Sequence, residues 1–298
     1  MAALVTLVAF AMLAFAPTPT AAAGTLDQVR QTGKLILGYR TDAAPFAYQT
    51  GANKAAGYTV TLCQQIADKV KTELGLASLS VEWVPVTLGD RFKDLQQGKV
   101  DLLCGADTAT LSRMKEVAFS IPIFPGGIGA MSRADGDPQL RALLDDAPPL
   151  SHPIWRGSPA RTFIEKKTFS VVKGTTAEAW LKDRLKDFEI DATVVPVANY
   201  EEGFQRVLDH RSDVLFGDRA ILLEAAKRSS SQAVADRLFT YEPIAVGIRR
   251  GDDDLRILVD RTLSQLYRSP EITKLYATWF GKPGLATDIF YQLSGLPD

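Results

Sequence analysis

VPVTLGDRFKDLQQGKVDLLCGA, residues 84–106, reads as a strand, a helix and a second strand, and it is matched by VPVANYEEGFQRVLDHRSDVLFGD, residues 195–218. Both segments carry V-P-V, then a phenylalanine (Phe92 and Phe204). An aspartate follows nine residues later (Asp101 and Asp213), then a leucine and a glycine in step. One inserted residue separates the two copies. Gly105 and Gly217 fall at the carboxyl ends of the second strands, where the chain has to turn. Two βαβ units of similar composition would give part of this match. A true repeat means two similar α/β lobes whose strand-end loops face each other across a cleft. Open parallel sheets bind ligands just outside their strand C-termini, so the cleft is the place to look for function.

The rest of the chain fits that frame. Apolar runs predict strands at 35–40, 79–86, 100–104, 126–132, 168–172, 192–197, 213–217 and 244–249. Segments of helical period predict helices at 59–74, 88–97, 138–146, 176–187, 200–210, 219–228, 252–268 and 270–280. This alternation is that of an α/β protein with largely parallel sheets. The stretch 134–162, rich in Pro, Asp and Ser, interrupts it and reads as a surface excursion with one short helix. With 298 residues, 46% apolar and 23% charged, the chain can bury a substantial core. A net charge of −1 leaves no basic field for nucleic acid or an anionic membrane. Small ligands become the default partner.

Residues 2–16, AALVTLVAFAMLAFA, followed by PTPTAAAG, read as a secretory signal peptide over 1–23, with A-x-A-type sites near Ala21 to Ala23. The positive n-region is missing, which leaves open a retained anchor or a start further upstream. In an exported chain the two cysteines, Cys63 and Cys104, are either one disulfide or two buried thiols. Cys63 shares a helix face with Val60, Ile66 and Val70, and Cys104 ends the strand VDLLC, so the two can meet.

No enzyme signature is present: no H-E-x-x-H, G-x-S-x-G, G-K-[ST] or C-x-x-C. His152 and His210 lack ligand-like spacing to any Cys or carboxylate, so neither a metal nor a cofactor is expected. Three loops carry chemistry of another kind. CGADTATLSR, 104–113, leaves a buried strand with small residues and delivers Arg113, a group that grips a carboxylate through two parallel hydrogen bonds. Thr175 and Thr176 open a helix after Gly174, where free N–H groups attract an anion or simply receive a cap. Asp218 ends a strand and can meet an ammonium group or cap the next helix. Arg40 stands where the strand LILGY should end.

Read together, these landmarks resemble the periplasmic solute-binding proteins of polar amino-acid ABC transporters. The carriers are APF (44–46), GYTVTLCQQIA (57–67), GKVDLLCGADTATLSRMKEVAFS (98–120), VVKGTTAE (171–178), DVLFGD (213–218) and IAVGIRRGDDDL (244–255). The resemblance implies a two-lobed flytrap: 25–124 plus 244–298 as lobe one, 128–240 as lobe two, with hinge crossings at 124–128 and 240–244. It implies that Arg113 grips a ligand α-carboxylate with the help of the backbone at Ala106 and Thr108 and of the loop at Thr176. Asp218 would take the α-ammonium. Relatives for basic amino acids or glutamine tend to carry Asp where Arg40 stands, whereas those for glutamate and aspartate carry Arg there and at Arg91. Leu88 and Tyr200 stand where acidic-binding relatives have a serine and a histidine, and Ala106 replaces a serine. The pocket therefore has fewer hydroxyls.

The expected function is binding of L-glutamate or L-aspartate, not catalysis, by a monomer that hands its ligand to an inner-membrane permease. A general polar amino-acid binder and a cyclohexadienyl dehydratase-like enzyme are the alternatives on this fold.

Overall fold

The computed structural model describes residues 24–146 and 159–297; the expected signal peptide, His152 and most of the 134–162 excursion beyond its first helix lie outside them. The chain starts with α1 (Thr25–Thr32) and β1 (Lys34–Tyr39). A small antiparallel excursion follows, β2 (Asp42–Ala43), β3 (Ala47–Gln49) and β4 (Ala55–Ala56). Next come α2 (Tyr58–Glu73), β5 (Ser80–Pro85), α3 (Arg91–Gln96), β6 (Leu102–Leu103) and β7 (Ala118–Phe119). β8 (Phe124–Gly126) then crosses to a second lobe.

That lobe holds β9 (Ile128–Arg133), α4 (Pro138–Asp146), α5 (Pro159–Glu165), β10 (Thr168–Val172) and α6 (Thr176–Asp187). β11 (Thr193–Val197), α7 (Tyr200–Leu208), β12 (Val214–Asp218), α8 (Arg219–Ala226) and β13 (Gln232–Val234) complete it. The chain returns through β14 (Glu242–Ile244) to β15 (Gly247–Ile248), α9 (Asp253–Tyr267), α10 (Glu271–Phe280) and α11 (Leu285–Ser294).

The two sheets have one plan. Their orders are β5-β1-β6-β15-β7 and β11-β10-β12-β9-β13. β1 runs parallel to β5 and β6, and β10 parallel to β11 and β12. β15 and β9 then add antiparallel to β6 and β12. The matched segments 84–106 and 195–218 supply β5-α3-β6 and β11-α7-β12, equivalent positions in the two sheets. The central strands are covered on both faces, as parallel strands usually are. Leu35 and Leu37 of β1 pack with Leu62 and Ile66 of α2, while Ile36 on the other face packs with Val84 and Val100.

Two expected strands divide at the crossings. The strand expected over 126–132 becomes β8 and β9, and that over 244–249 becomes β14 and β15. The reason is that β8 and β14 pair with each other, Glu242 opposite Gly126 and Ile244 opposite Phe124, outside the two main sheets. A side chain at Gly127 would run into the Thr240 carbonyl, so the two crossings press together only because that residue is glycine. Buried tyrosines tie the first crossing to lobe one: Tyr58 donates to the Ile123 carbonyl at 2.8 Å and Tyr267 to that of Pro122 at 2.7 Å.

Cys63 and Cys104 form a disulfide that joins the buried face of α2 to the end of β6, next to the loop that carries Thr108 and Arg113. Removing it by a Cys63→Ala, Cys104→Ala double substitution should cost about 2–4 kcal/mol, because a cross-link over 41 residues restricts the unfolded chain. Denaturant unfolding measures this. Identical curves for variant and wild type would contradict it.

Candidate functional site

The carboxyl ends of β1, β6 and β12 and the N-termini of α6, α7 and α8 converge on one cleft between the lobes. Lobe one contributes Arg40, Leu88, Arg91, Ala106, Thr108 and Arg113 to its wall, and lobe two contributes Thr176, Tyr200 and Asp218. All nine positions singled out from the sequence thus line the same space. Glu242 of the returning crossing lines it too, with Ile128 and Ile221, and none of these three was expected.

The lobe-one wall is cationic, but most of its charge is already matched. Arg40, 3% exposed, donates from Nε and Nη2 to Asp42 Oδ1 at 3.0 and 2.8 Å. Arg91, 4% exposed, donates from Nε to Asp107 Oδ1 at 2.5 Å and from Nη1 to the Leu88 carbonyl. Its guanidinium also lies 3.9 Å from the centre of the Phe92 ring. Arg113 differs. It donates from Nη1 to the Thr108 carbonyl at 2.9 Å and, among the described residues, is in no ion pair. Burial and then the nearby Arg91 charge lower its pKa to about 10, so it remains protonated at neutral pH. Arg113 is therefore the guanidinium with charge to offer.

Lobe two faces it with acid. Asp218 Oδ1 accepts from the N–H groups of Ala220 and Ile221 at 2.9 and 3.3 Å, so the carboxylate caps α8 while lining the cleft. The two readings open in the sequence, cap or ligand group, are compatible. The Asp218 N–H donates to the Tyr200 hydroxyl at 3.1 Å, and that approach requires glycine at 217, where a Cβ would lie 2.6 Å from Tyr200 Cε1. Burial raises Asp218 to about 7; the charge of Glu242 adds to the rise, and the α8 N–H groups and Arg40 oppose it.

The start of α6 makes a contact with the returning crossing. Thr175 is its N-cap and accepts from the Glu178 N–H at 3.3 Å. The Thr176 hydroxyl donates to Glu242 Oε2 at 2.5 Å. An acidic side chain of the chain itself thus takes the hydroxyl at this helix start.

A family model for bacterial extracellular solute-binding proteins, family 3, matches residues 35–282. The chain belongs to that family. It is 28% identical over 264 residues to the L-glutamate/L-aspartate-binding protein of Pseudomonas aeruginosa, covering 87% of this chain and 81% of that one. It is 27% identical over 266 residues to the glutamate/aspartate import solute-binding protein of Escherichia coli K12, covering 88% and 82%. Among solved structures, an ancestral amino acid-binding protein described as a precursor of cyclohexadienyl dehydratase superimposes with a TM-score of 0.70 at 26% identity. That match covers 87% of this chain and all (100%) of the other.

For this family-3 protein the acidic residues missed in the sequence are Asp42, Asp107 and Glu242. Asp42 carried a usable signal, two residues from Arg40. Asp107, in the loop singled out for its threonines, was passed over because its partner Arg91 lies 16 residues earlier. Glu242 gave no local sign, since its cleft partner Thr176 is 66 residues away. Among the described residues no group of three or more His, Cys, Asp or Glu is placed to hold a metal.

Proposed function

We propose that this protein is the substrate-binding component of an amino-acid ABC importer, binding L-glutamate or L-aspartate between its lobes in the periplasm and delivering it, as a monomer, to a membrane permease. The observation that carries the reading is the opposition across one cleft of three guanidiniums, Arg40, Arg91 and Arg113, to the carboxylate of Asp218. In this reading Arg113 takes the α-carboxylate, held against the loop of Ala106 and Thr108, and Asp218 takes the α-ammonium. Arg40 and Arg91 meet the side-chain carboxylate, with Leu88 and Tyr200 closing the pocket around it. A ligand bridging both lobes stabilises the closed form over the open one, which is how binding becomes a signal to a permease.

Calorimetric titration with glutamate, aspartate, glutamine and asparagine tests it. Saturable heat with the acidic pair, stronger than with the amides, is expected; no heat with any of the four would end the proposal. Asp42 and Asp107 already neutralise two of the arginines, so tighter binding of the amides would move the assignment to a general polar amino-acid binder.

The raised pKa of Asp218 sets a pH dependence. An ammonium group needs the ionised carboxylate, so below about pH 7 the ligand competes with a proton and affinity should fall by up to about tenfold per unit. Above that range affinity should be flat. Titrations between pH 5 and 8 that show no slope would remove Asp218 from the role.

One observation favours a second reading. A buried carboxyl group near pKa 7 in the cleft is suited to protonating a leaving hydroxyl, as a cyclohexadienyl dehydratase would require. Turnover of prephenate or arogenate would establish it, and none is expected from the binding protein proposed.

A further inference from the structure

Glu242 is the cleft residue that the amino-acid reading leaves unused. It reaches the cavity from β14, the crossing that returns the chain to lobe one, and so belongs to neither of the walls already described. Both of its oxygens are held: Oε2 by the Thr176 hydroxyl at 2.5 Å and Oε1 by the Thr240 hydroxyl at 3.1 Å. Thr240 is itself fixed, accepting from the Ile128 N–H at 3.0 Å. These are neutral donors. Among the described residues Glu242 makes no ion pair, and neither does Asp218.

The charges on the cleft wall can be set against one another. Arg40 is matched by Asp42 and Arg91 by Asp107. Arg113, Asp218 and Glu242 remain, one cation and two carboxyl groups, around the same cleft space. The field of Glu242 reaches both of the others, opposing ionisation of Asp218 and favouring protonation of Arg113. Two carboxylates facing one partly buried space repel unless a cation or a proton comes between them. An amino acid brings the matching groups. Its carboxylate satisfies Arg113, and its ammonium group has three N–H donors, more than the single carboxylate of Asp218 can accept in good geometry.

We propose that Glu242 is a specificity-determining residue of this cleft, acting with Asp218 on the ligand's ammonium group and thereby excluding carboxylates that lack one. The hydroxyls of Thr176 and Thr240 orient it for that role, which explains why the start of α6 is spent on a side chain of the protein. This inference rests on the amino-acid reading above and extends it by one residue and by a class of excluded ligand, the 2-hydroxy and 2-oxo acids.

The test is a pair of titrations, with L-glutamate and with L-2-hydroxyglutarate, on wild type and on Glu242→Gln. Glutamine keeps the shape and one acceptor but removes the charge. The variant is expected to lose roughly tenfold to a hundredfold in affinity for L-glutamate, while its affinity for L-2-hydroxyglutarate stays equal or improves, so that discrimination between the two collapses. Unchanged or tighter L-glutamate binding by the variant would overturn the proposal, and would mean that Glu242 competes with the ligand's carboxylates. A wild type that binds no amino acid at all would overturn the amino-acid reading first, and this inference with it. If Glu242→Gln fails to fold, Thr240→Val, which removes one of the orienting hydroxyls from outside the cavity, should show the same shift in smaller measure. Unaltered discrimination there would count against the proposal.

Discussion

Arg113→Ala should weaken binding of every amino acid by roughly 2–5 kcal/mol, whatever the ligand's side chain. The α-carboxylate is common to all of them, and Arg113 is the cleft guanidinium whose charge no resident carboxylate has claimed among the described residues. Arg40 and Arg91 cannot replace it, since both are held in place by their own counterions. The Arg113 side chain lies on a short turn of 3-10 helix, Arg113–Lys115, half-buried at the cleft, so its truncation should leave thermal unfolding nearly unchanged. Calorimetry with acidic and amide ligands measures the loss. Wild-type affinity for any one of them would show that the carboxylate is gripped elsewhere.

Arg40→Ala should have an effect of similar size, about 2–5 kcal/mol, but confined to ligands with a side-chain carboxylate. Two contributions add. The ligand loses a charge-assisted partner, and Asp42 keeps its charge without Arg40 to neutralise it, facing an incoming anion. Because the Asp42 side chain is 36% exposed, water can solvate it in the variant, and the fold should tolerate the change. Glutamine and asparagine should lose much less. Equal losses for glutamate and glutamine would remove Arg40 from the recognition of acidic side chains. Arg91 is a poorer probe of the same idea. Its partner Asp107 has a side chain only 2% exposed, and stranding that anion would cost about 3–5 kcal/mol of stability before any ligand is added.

Much of the architecture was legible in the chain. α6 starts just past Gly174, β10 covers the apolar run expected over 168–172, and α2 presents Val60, Cys63, Ile66 and Val70 inward as its period requires. α1 and α11 were not expected; α11 mixes Leu285 and Leu293, 75% and 81% exposed, with buried Phe290 and Tyr291. Arg40, Arg113, Thr176 and Asp218 stand out in their own loops, whereas Leu88, Arg91, Ala106 and Tyr200 were singled out through the resemblance. Taken alone, Arg113 and Asp218 were each compatible with a solvated turn or a cap.

By itself the sequence determined two matched strand-helix-strand units, the helices that begin at their caps, and an arginine at the end of the first strand. All of these follow from interactions spanning a few residues, which a local pattern encodes. Only the tertiary structure decided which charges remain available in the cleft. Arg91 is spent on Asp107, Arg40 is shared with Asp42, and Glu242 enters from the returning crossing to meet Thr176, 66 residues away. Ion pairing depends on separations of a few ångströms between side chains, and those separations are set by where the strand ends of two lobes converge.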